Sequence, residues 1–393
     1  MENPALTPVN DAVAIKGVRI RSVDILRGAV MILMAIDHVR VYSGIPAGGP
    51  DPGTFFTRWV THFCVPAFVF FAGTSAFLYG NKINDKGKLA RYLITRGLML
   101  VVLELTLLRF CWTFNLDYAQ FTLAGVIWML GWCMVLLAAF VKLSPRTIAI
   151  TGLIIAFGQQ AFHFLPRILP VDWRNYFGWF WEFIYPGGTN GPPHIAILYV
   201  IVPWIGVMMA GYGFGKILTG DPVYRRKFCL WVGLSAIVIF LIAGSLVILL
   251  GPAPKFSMPF LFRLLAQQKY PASQLYLLMT LGPVIALVPF AERTQGWFAK
   301  TFTTFGRVPL FYYLLHIPLI HCAALLVNLA RAGSTNQGFY ATAPFTEIDP
   351  VHRWGLPVLY LVFVLVEVVL YFACRWYERY KFSHPEKKWL KYI

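Results

Sequence analysis

Residues 20 to 41 read Ile-Arg-Ser-Val-Asp-Ile-Leu-Arg-Gly-Ala-Val-Met-Ile-Leu-Met-Ala-Ile-Asp-His-Val-Arg-Val, a membrane-length apolar helix that carries Asp24, Arg27, Asp37 and His38. Each ionisable group at membrane depth costs roughly 2.5–3.5 kcal/mol on insertion scales, so a helix that keeps several is using them. At about 100° per residue, Arg27 lies about 60° from Asp24, and His38 returns to within about 20° of Arg27. Asp24, Arg27 and His38 therefore form one polar stripe along the helix. The stripe cannot face lipid, so it lines a cavity or another helix.

The rest of the chain agrees with a membrane setting. Of its 393 residues 58% are hydrophobic and only 13% are charged, and its mean hydropathy is +0.63. A soluble domain this apolar would have no surface to show water. The fold class is all-α, a polytopic integral membrane protein. The net charge of +17 invites a nucleic-acid reading. The positive residues sit between apolar spans, however, as membrane topology requires, so no nucleic-acid partner is expected. Cys64, Cys111, Cys133, Cys229, Cys322 and Cys374 form no CxxC pair and mostly lie in apolar stretches. They read as packing residues, not as a disulfide framework or metal site. Residues 1–18 lack the apolar core of a cleavable signal, so the first transmembrane helix is expected to act as the insertion signal.

Apolar runs predict ten spans, at 20–42, 60–80, 91–112, 120–141, 146–164, 195–217, 229–250, 272–290, 305–330 and 354–377. With the N-terminus inside, 23 Lys and Arg fall on the inner side and 10 on the outer, with Arg27 inside the first span. That bias predicts an N-in, C-in protein. The whole of 1–393 reads as a single transmembrane domain, with 1–18 a cytoplasmic arm and 378–393 a basic cytoplasmic tail. No internal repeat, low-complexity tract or soluble domain interrupts it.

Two outer segments stand out. Residues 165–194 hold Trp173, Tyr176, Phe177, Trp179, Trp181 and Tyr185, followed by a Pro- and Gly-rich run. They read either as a sugar-stacking lid or as an interfacial aromatic belt followed by a loop. Residues 255–270 mix Phe256, Phe260, Phe262 and Leu265 with Lys255, Arg263 and Lys269, the pattern of an amphipathic helix lying on the outer surface.

The candidate chemistry centres on His38. It lies about 25 Å up the helix from the inner interface at 1.5 Å per residue. Histidine is the natural general base near neutral pH, and Asp37 or another carboxylate would tune it. The alternative is a buried histidine bonded to a neighbouring helix. Asp24 and Arg27 are close enough to pair near the inner end. Arg27 there reads as a binder of cofactor phosphate or as a structural ion-pair member. His62, near the start of the second span, is expected at a depth like that of His38, which suggests a shared site. In the ninth span Tyr312 and His316 are i, i+4 neighbours on one face, with His321 beyond. Glu104 and Glu367 are also expected near mid-membrane. His316 with these carboxylates reads either as a proton wire or as the lining of a channel for the polar arm of a thioester donor. No HExxH or paired-ligand spacing supports a metal, and there is no Walker A motif, no GxSxG and no ordered Ser-His-Asp set.

Ser-Val-Asp-Ile-Leu-Arg-Gly, with a histidine fourteen residues after the aspartate, resembles the first helix of the transmembrane acyltransferase superfamily. Phe-Gly-Arg-Val-Pro-Leu-Phe-Tyr-Tyr-Leu-Leu-His at 305–316 looks like its late helix. With Val-Pro-Ala-Phe-Val-Phe-Phe-Ala-Gly-Thr-Ser at 65–75, the chain is similar to a bacterial membrane family related to the catalytic domain of heparan-α-glucosaminide N-acetyltransferase. The resemblance implies a multi-pass protein of the bacterial inner membrane, among membrane lipids. It implies an acyl-CoA donor such as acetyl-CoA, entering from the cytoplasm as substrate with no permanently bound cofactor. The acceptor it implies is an extracytoplasmic carbohydrate or lipid-linked molecule.

The role implied for His38 is general base, with Asp37 and His62 beside it. Asp24, Arg27, Tyr312 and His316 are assigned to the donor. One departure matters. The heparan enzyme has its functional histidine between the first two helices and asparagine where His38 stands, whereas residues 42–57 here hold no histidine. Transfer onto glucosamine is therefore not carried over. A proton-coupled secondary transporter and a membrane scaffold without turnover are the competing readings.

Overall fold

The structure, a computed structural model, describes residues 20–119, 121–168, 170–187, 195–252 and 258–392. The N-terminal arm lies outside these residues, as do all but the first two residues of the Pro- and Gly-rich run and the start of the 255–270 segment. The polar-striped helix is α1 (Arg21–Ser43). It stops where Gly44 takes a left-handed conformation (φ 74°) and bonds back to the Val41 carbonyl. A side chain at Gly44 would also press on Ile348.

The second span starts earlier than its hydropathy suggests. Asp51 accepts from the Thr54 N–H and Pro52 fills the first turn, so α2 (Pro52–Trp59) begins in the loop. A 3₁₀ turn at Val60–Phe63 leads into α3 (Cys64–Ile83). Pro66 explains this joint. It has no N–H to give the His62 carbonyl four residues back, and that carbonyl instead accepts from the Tyr276 hydroxyl at 2.7 Å.

Then follow α4 (Lys86–Leu103), a π turn at Glu104–Leu108 and α5 (Arg109–Thr113). Arg109 is buried and bonds the carbonyls of Phe121, Asn115 and Asp117, which fixes the loop beyond α5. Strand β1 (Thr122–Ala124) pairs in parallel with β2 (Ile195–Ile197), Thr122 opposite Ile195. Between them lie α6 (Val126–Phe140), α7 (Pro145–Phe157), α8 (Ala161–Ile168) and α9 (Val171–Ile184). The aromatic 165–194 segment is thus largely helical as far as it is described. After β2 come α10 (Trp204–Leu218), α11 (Pro222–Leu250), α12 (Phe260–Leu265), α13 (Gln274–Arg293), α14 (Gly296–Arg307), α15 (Pro309–Ala332) and α16 (Leu356–Ser383).

Further expectations change here. The spans predicted from 120 and from 195 each open with a strand and become helical only at Val126 and Trp204. The amphipathic 255–270 helix shrinks to the six residues of α12. The late helix starts at Pro309, and the residues before it form a separate helix, α14, where a loop was expected. Proline cannot continue a preceding helix but suits a first turn, so the break falls at Val308.

Five helical segments, 52–83, 222–250, 274–293, 309–332 and 356–383, are long and apolar enough to cross a membrane. Their surfaces differ. The most apolar stretch of α13 is 61% buried, that of α11 only 17% and that of α16 only 22%. Outward faces this apolar suit lipid and not water. At the centre, α1 packs against α3, α13, α14, α15 and α16. It meets α14 backbone to backbone: a methyl on Gly28 would overlap the Phe302 carbonyl, and one on Gly306 the Asp24 carbonyl. α3 and α10 cross in the same way at Gly73 and Gly211. The α1–α14 crossing seats α1 against the main core, with a small separate cluster of Ile25, Ala291 and Ala299 beside it.

Candidate active site

Two cavities flank α1, one towards each end. The larger, about 850 Å³, is lined near the C-terminal end of α1 by Asp37, His38 and Arg40, with Arg58, Glu104, Trp112, Lys269 and Tyr313 from other elements. Asp37 does not bond His38. One of its oxygens accepts from Arg40 Nε and the other from Arg58 Nη1, both at 2.9 Å. Arg58 also reaches Thr61 Oγ1, at 3.1 Å, and Arg40 the Ile45 carbonyl, at 2.7 Å. This clamp joins the end of α1 to α2 and so fixes the turn that carries His38.

His38 is held from α15. Its Nδ1 lies 2.7 Å from His316 Nε2, with the rings stacked at 4.9 Å. Trp112 meets the His38 ring edge-on at 4.9 Å. The network assigns the tautomers. His316 is fully buried, and its Nδ1 faces the carbonyl oxygens of Tyr313 at 2.6 Å and Tyr312 at 3.2 Å. A carbonyl only accepts, so Nδ1 carries the hydrogen, and in the neutral ring Nε2 is a bare acceptor. His38 Nδ1–H must then donate to it. That leaves His38 Nε2 unprotonated, bonded to nothing among the described residues, on a side chain that lines the cavity. Such a nitrogen can take a proton from a bound hydroxyl or amine.

The second cavity, about 310 Å³, lies towards the N-terminal end of α1. Arg27, Arg96, Arg307 and Lys381 line it, without an acidic side chain, among apolar residues of α3, α4 and α6. Arg27 donates to Ser75 Oγ at 2.6 Å and to the Phe71 and Gly306 carbonyls, so its guanidinium bridges α3 and the α1–α14 crossing. Arg307 pairs with Glu378 at 2.6 Å. The two cavities share three residues, Phe68, Val126 and Tyr313, which form the partition between them.

The structure separates the other residues singled out in the sequence. His62 lines neither cavity. It is buried against Tyr276, and its Nδ1 has no partner among the described residues. Asp24 is buried and lines neither cavity. Tyr312 also turns away: its hydroxyl bonds Glu367 Oε1 and the Met31 carbonyl. Its neighbour Tyr313 is the tyrosine that faces both cavities. The i, i+4 rule picks Tyr312 as companion of His316, and the two rings do stack at 5.3 Å, but the partition lies about one helical step, 100°, further round. Glu104 caps α6 through the N–H groups of Ile127 and Trp128, so neither it nor Glu367 bonds the histidine pair. Among the described residues no group of three His, Cys, Asp or Glu could hold a metal.

A model of the family described as heparan-alpha-glucosaminide N-acetyltransferase, catalytic, matches residues 19–253. The match takes in Arg27, His38, Phe68 and Val126, while Lys269, Arg307, Tyr313 and His316 follow it in the chain. No curated protein matches the sequence. The family and the long apolar helices make this a membrane protein. With more than half of its length matched, the chain belongs to the heparan-alpha-glucosaminide N-acetyltransferase catalytic family.

Proposed function

We propose that this protein is a membrane-embedded acyltransferase that takes an acyl group, acetyl in the simplest case, from acyl-CoA in the Arg27 cavity. It passes the group to an acceptor in the His38 cavity. The observation that carries this reading is the shared partition: two cavities at opposite ends of one helix meet at Phe68, Val126 and Tyr313, near the histidine pair. The four basic side chains of the Arg27 cavity suit the phosphates of CoA. Its apolar interior suits the pantetheine arm, and the family supports acetyl transfer. In the accompanying topology, ten spans place both termini in the cytoplasm, so the donor enters from there. The acceptor, a sugar or glycolipid, comes from the far side, in a bacterial inner membrane.

The chemistry follows from the tautomers. His38 Nε2 removes the proton of the acceptor hydroxyl or amine as that atom attacks the thioester carbonyl. The carbon–sulfur bond breaks, and the leaving thiolate takes the proton from His38 as CoA–SH. His316 keeps the accepting nitrogen available throughout.

Calorimetry of acetyl-CoA binding to detergent-purified protein tests the reading. Saturable binding, weakened in Arg27→Ala and kept in His38→Ala, is the expected result. No binding of acetyl-CoA or longer acyl-CoAs to folded protein would overturn it. Proton flux in liposomes would then be measured for a transporter.

A further inference from the structure

Lys269 is a charge with no ion-pair partner of its own among the described residues. It sits in the tight turn before α13, where Ser273 N–H bonds the Gln268 carbonyl, and it lines the His38 cavity at only 7% exposure. Its ammonium has no hydrogen bond and no ion pair with any described residue. Its near neighbours are two aromatic faces, Tyr270 at 5.3 Å and Tyr199 at 5.9 Å from the ring centres. Those tyrosines are tied together through their hydroxyls at 3.3 Å.

The acids that line the same cavity are Asp37, Glu104, Glu347 and Asp349. Asp37 is shared by Arg40 and Arg58, and Glu104 is spent on the start of α6. Asp349 caps the Val351 N–H, and both it and Glu347 are exposed at the rim. The remaining base, Arg353, bonds the Ile348 carbonyl. Asp37 thus leaves one surplus positive charge on its own arginine pair, and Lys269 adds a second. Buried charges in proteins are paired, because desolvation outweighs what aromatic faces return. The missing partner is expected to arrive with the ligand.

We propose that Lys269 anchors an oxyanion, a phosphate monoester or carboxylate, carried by the acceptor, with Tyr199 and Tyr270 packing against the acceptor's ring. The inference rests on the acyltransferase reading and narrows its acceptor to an anionic, sugar-sized molecule. A cavity of about 850 Å³ is within the usual range for such a ligand.

The test uses the full-length protein in detergent, with glucose 6-phosphate, glucuronate, glucose and inorganic phosphate titrated separately and acetyl-CoA binding measured alongside. Glucose 6-phosphate or glucuronate should bind saturably and glucose far more weakly. Lys269→Gln should weaken the anionic sugar by about tenfold or more, and Lys269→Arg should keep most of the affinity. Acetyl-CoA binding should be the same in all three proteins, which also reports folding. Affinity unchanged in Lys269→Gln, or no anionic probe binding to wild type, would overturn the assignment. Inorganic phosphate binding as tightly as the sugar phosphate would also overturn it, as would displacement of the sugar phosphate by phosphatidylglycerol nanodiscs. The oxyanion would then belong to solvent or to a lipid headgroup and not to the acceptor. Failure of acetyl-CoA to bind wild type would instead remove the donor reading while leaving the Lys269 arms to be judged on their own.

Discussion

At the scale of single residues, the reactivity of His38 depends on which nitrogen of His316 holds the hydrogen. Replacing His38 by Ala removes the proton acceptor, and kcat should fall by about 10²–10⁴-fold with the protein still folded and binding acetyl-CoA. Normal turnover in purified His38→Ala protein would end the assignment. His316 touches no substrate in this scheme and acts as a positioning residue. Its loss in His316→Ala frees the His38 ring to turn or to exchange tautomers, so kcat should drop while the acetyl-CoA KM holds. A glutamine can offer a carbonyl oxygen to His38 Nδ1–H, so His316→Gln should recover part of the lost rate. Equal rates in the two variants would show that the tautomer is not what His316 supplies.

Arg27, His38 and His316 stand out in the sequence because ionisable groups within apolar spans are costly, but His316, expected on the donor, lines neither cavity and meets His38 instead. Lys269, Arg307 and Lys381 do not stand out. Each lies near a span end, where a basic residue is expected for topology alone. Their convergence on cavities comes from how distant segments fold together.

At the scale of elements, the joint between α2 and α3 shows a local rule creating a tertiary bond. Pro66 strips the His62 carbonyl of its helical partner, and Tyr276 of α13 supplies another. Tyr276→Phe keeps the ring and removes the bond, leaving a buried carbonyl unsatisfied at a cost of about 1–3 kcal/mol. The thermal midpoint of the purified protein should fall, and an unchanged midpoint would show that the carbonyl finds water instead.

Hydropathy located the apolar core of the second span but not its start, because Asp51 and Pro52 begin a helix that is only partly apolar. Likewise α14 escaped notice. Its twelve residues include Lys300, Arg307 and several threonines, and it is too short and polar to register as a span. The parallel pairing of β1 with β2 joins segments about 70 residues apart, beyond the reach of any local pattern.

At the scale of the whole molecule, the proposed reaction brings donor and acceptor together at the three side chains where the two cavities meet. Phe68 is the largest apolar member of that partition, so Phe68→Ala should widen the junction. More water from the His38 cavity would then reach the thioester. Acetyl-CoA hydrolysis without acceptor, measured as free thiol released, should rise above wild type. A rate equal to wild type would mean that Tyr313 and Val126 seal the junction alone.

One consequence follows from α1 being a single helix of 23 residues with no proline inside it. Arg27 and His38 are eleven residues apart on this stiff rod, a fixed interval of about 16 Å. In the proposed reaction the helix therefore works as a ruler. A donor gripped at Arg27 presents its carbonyl to His38 only if its arm matches that interval. Selection among thioesters would then be made by length, before any contact with the acyl group itself.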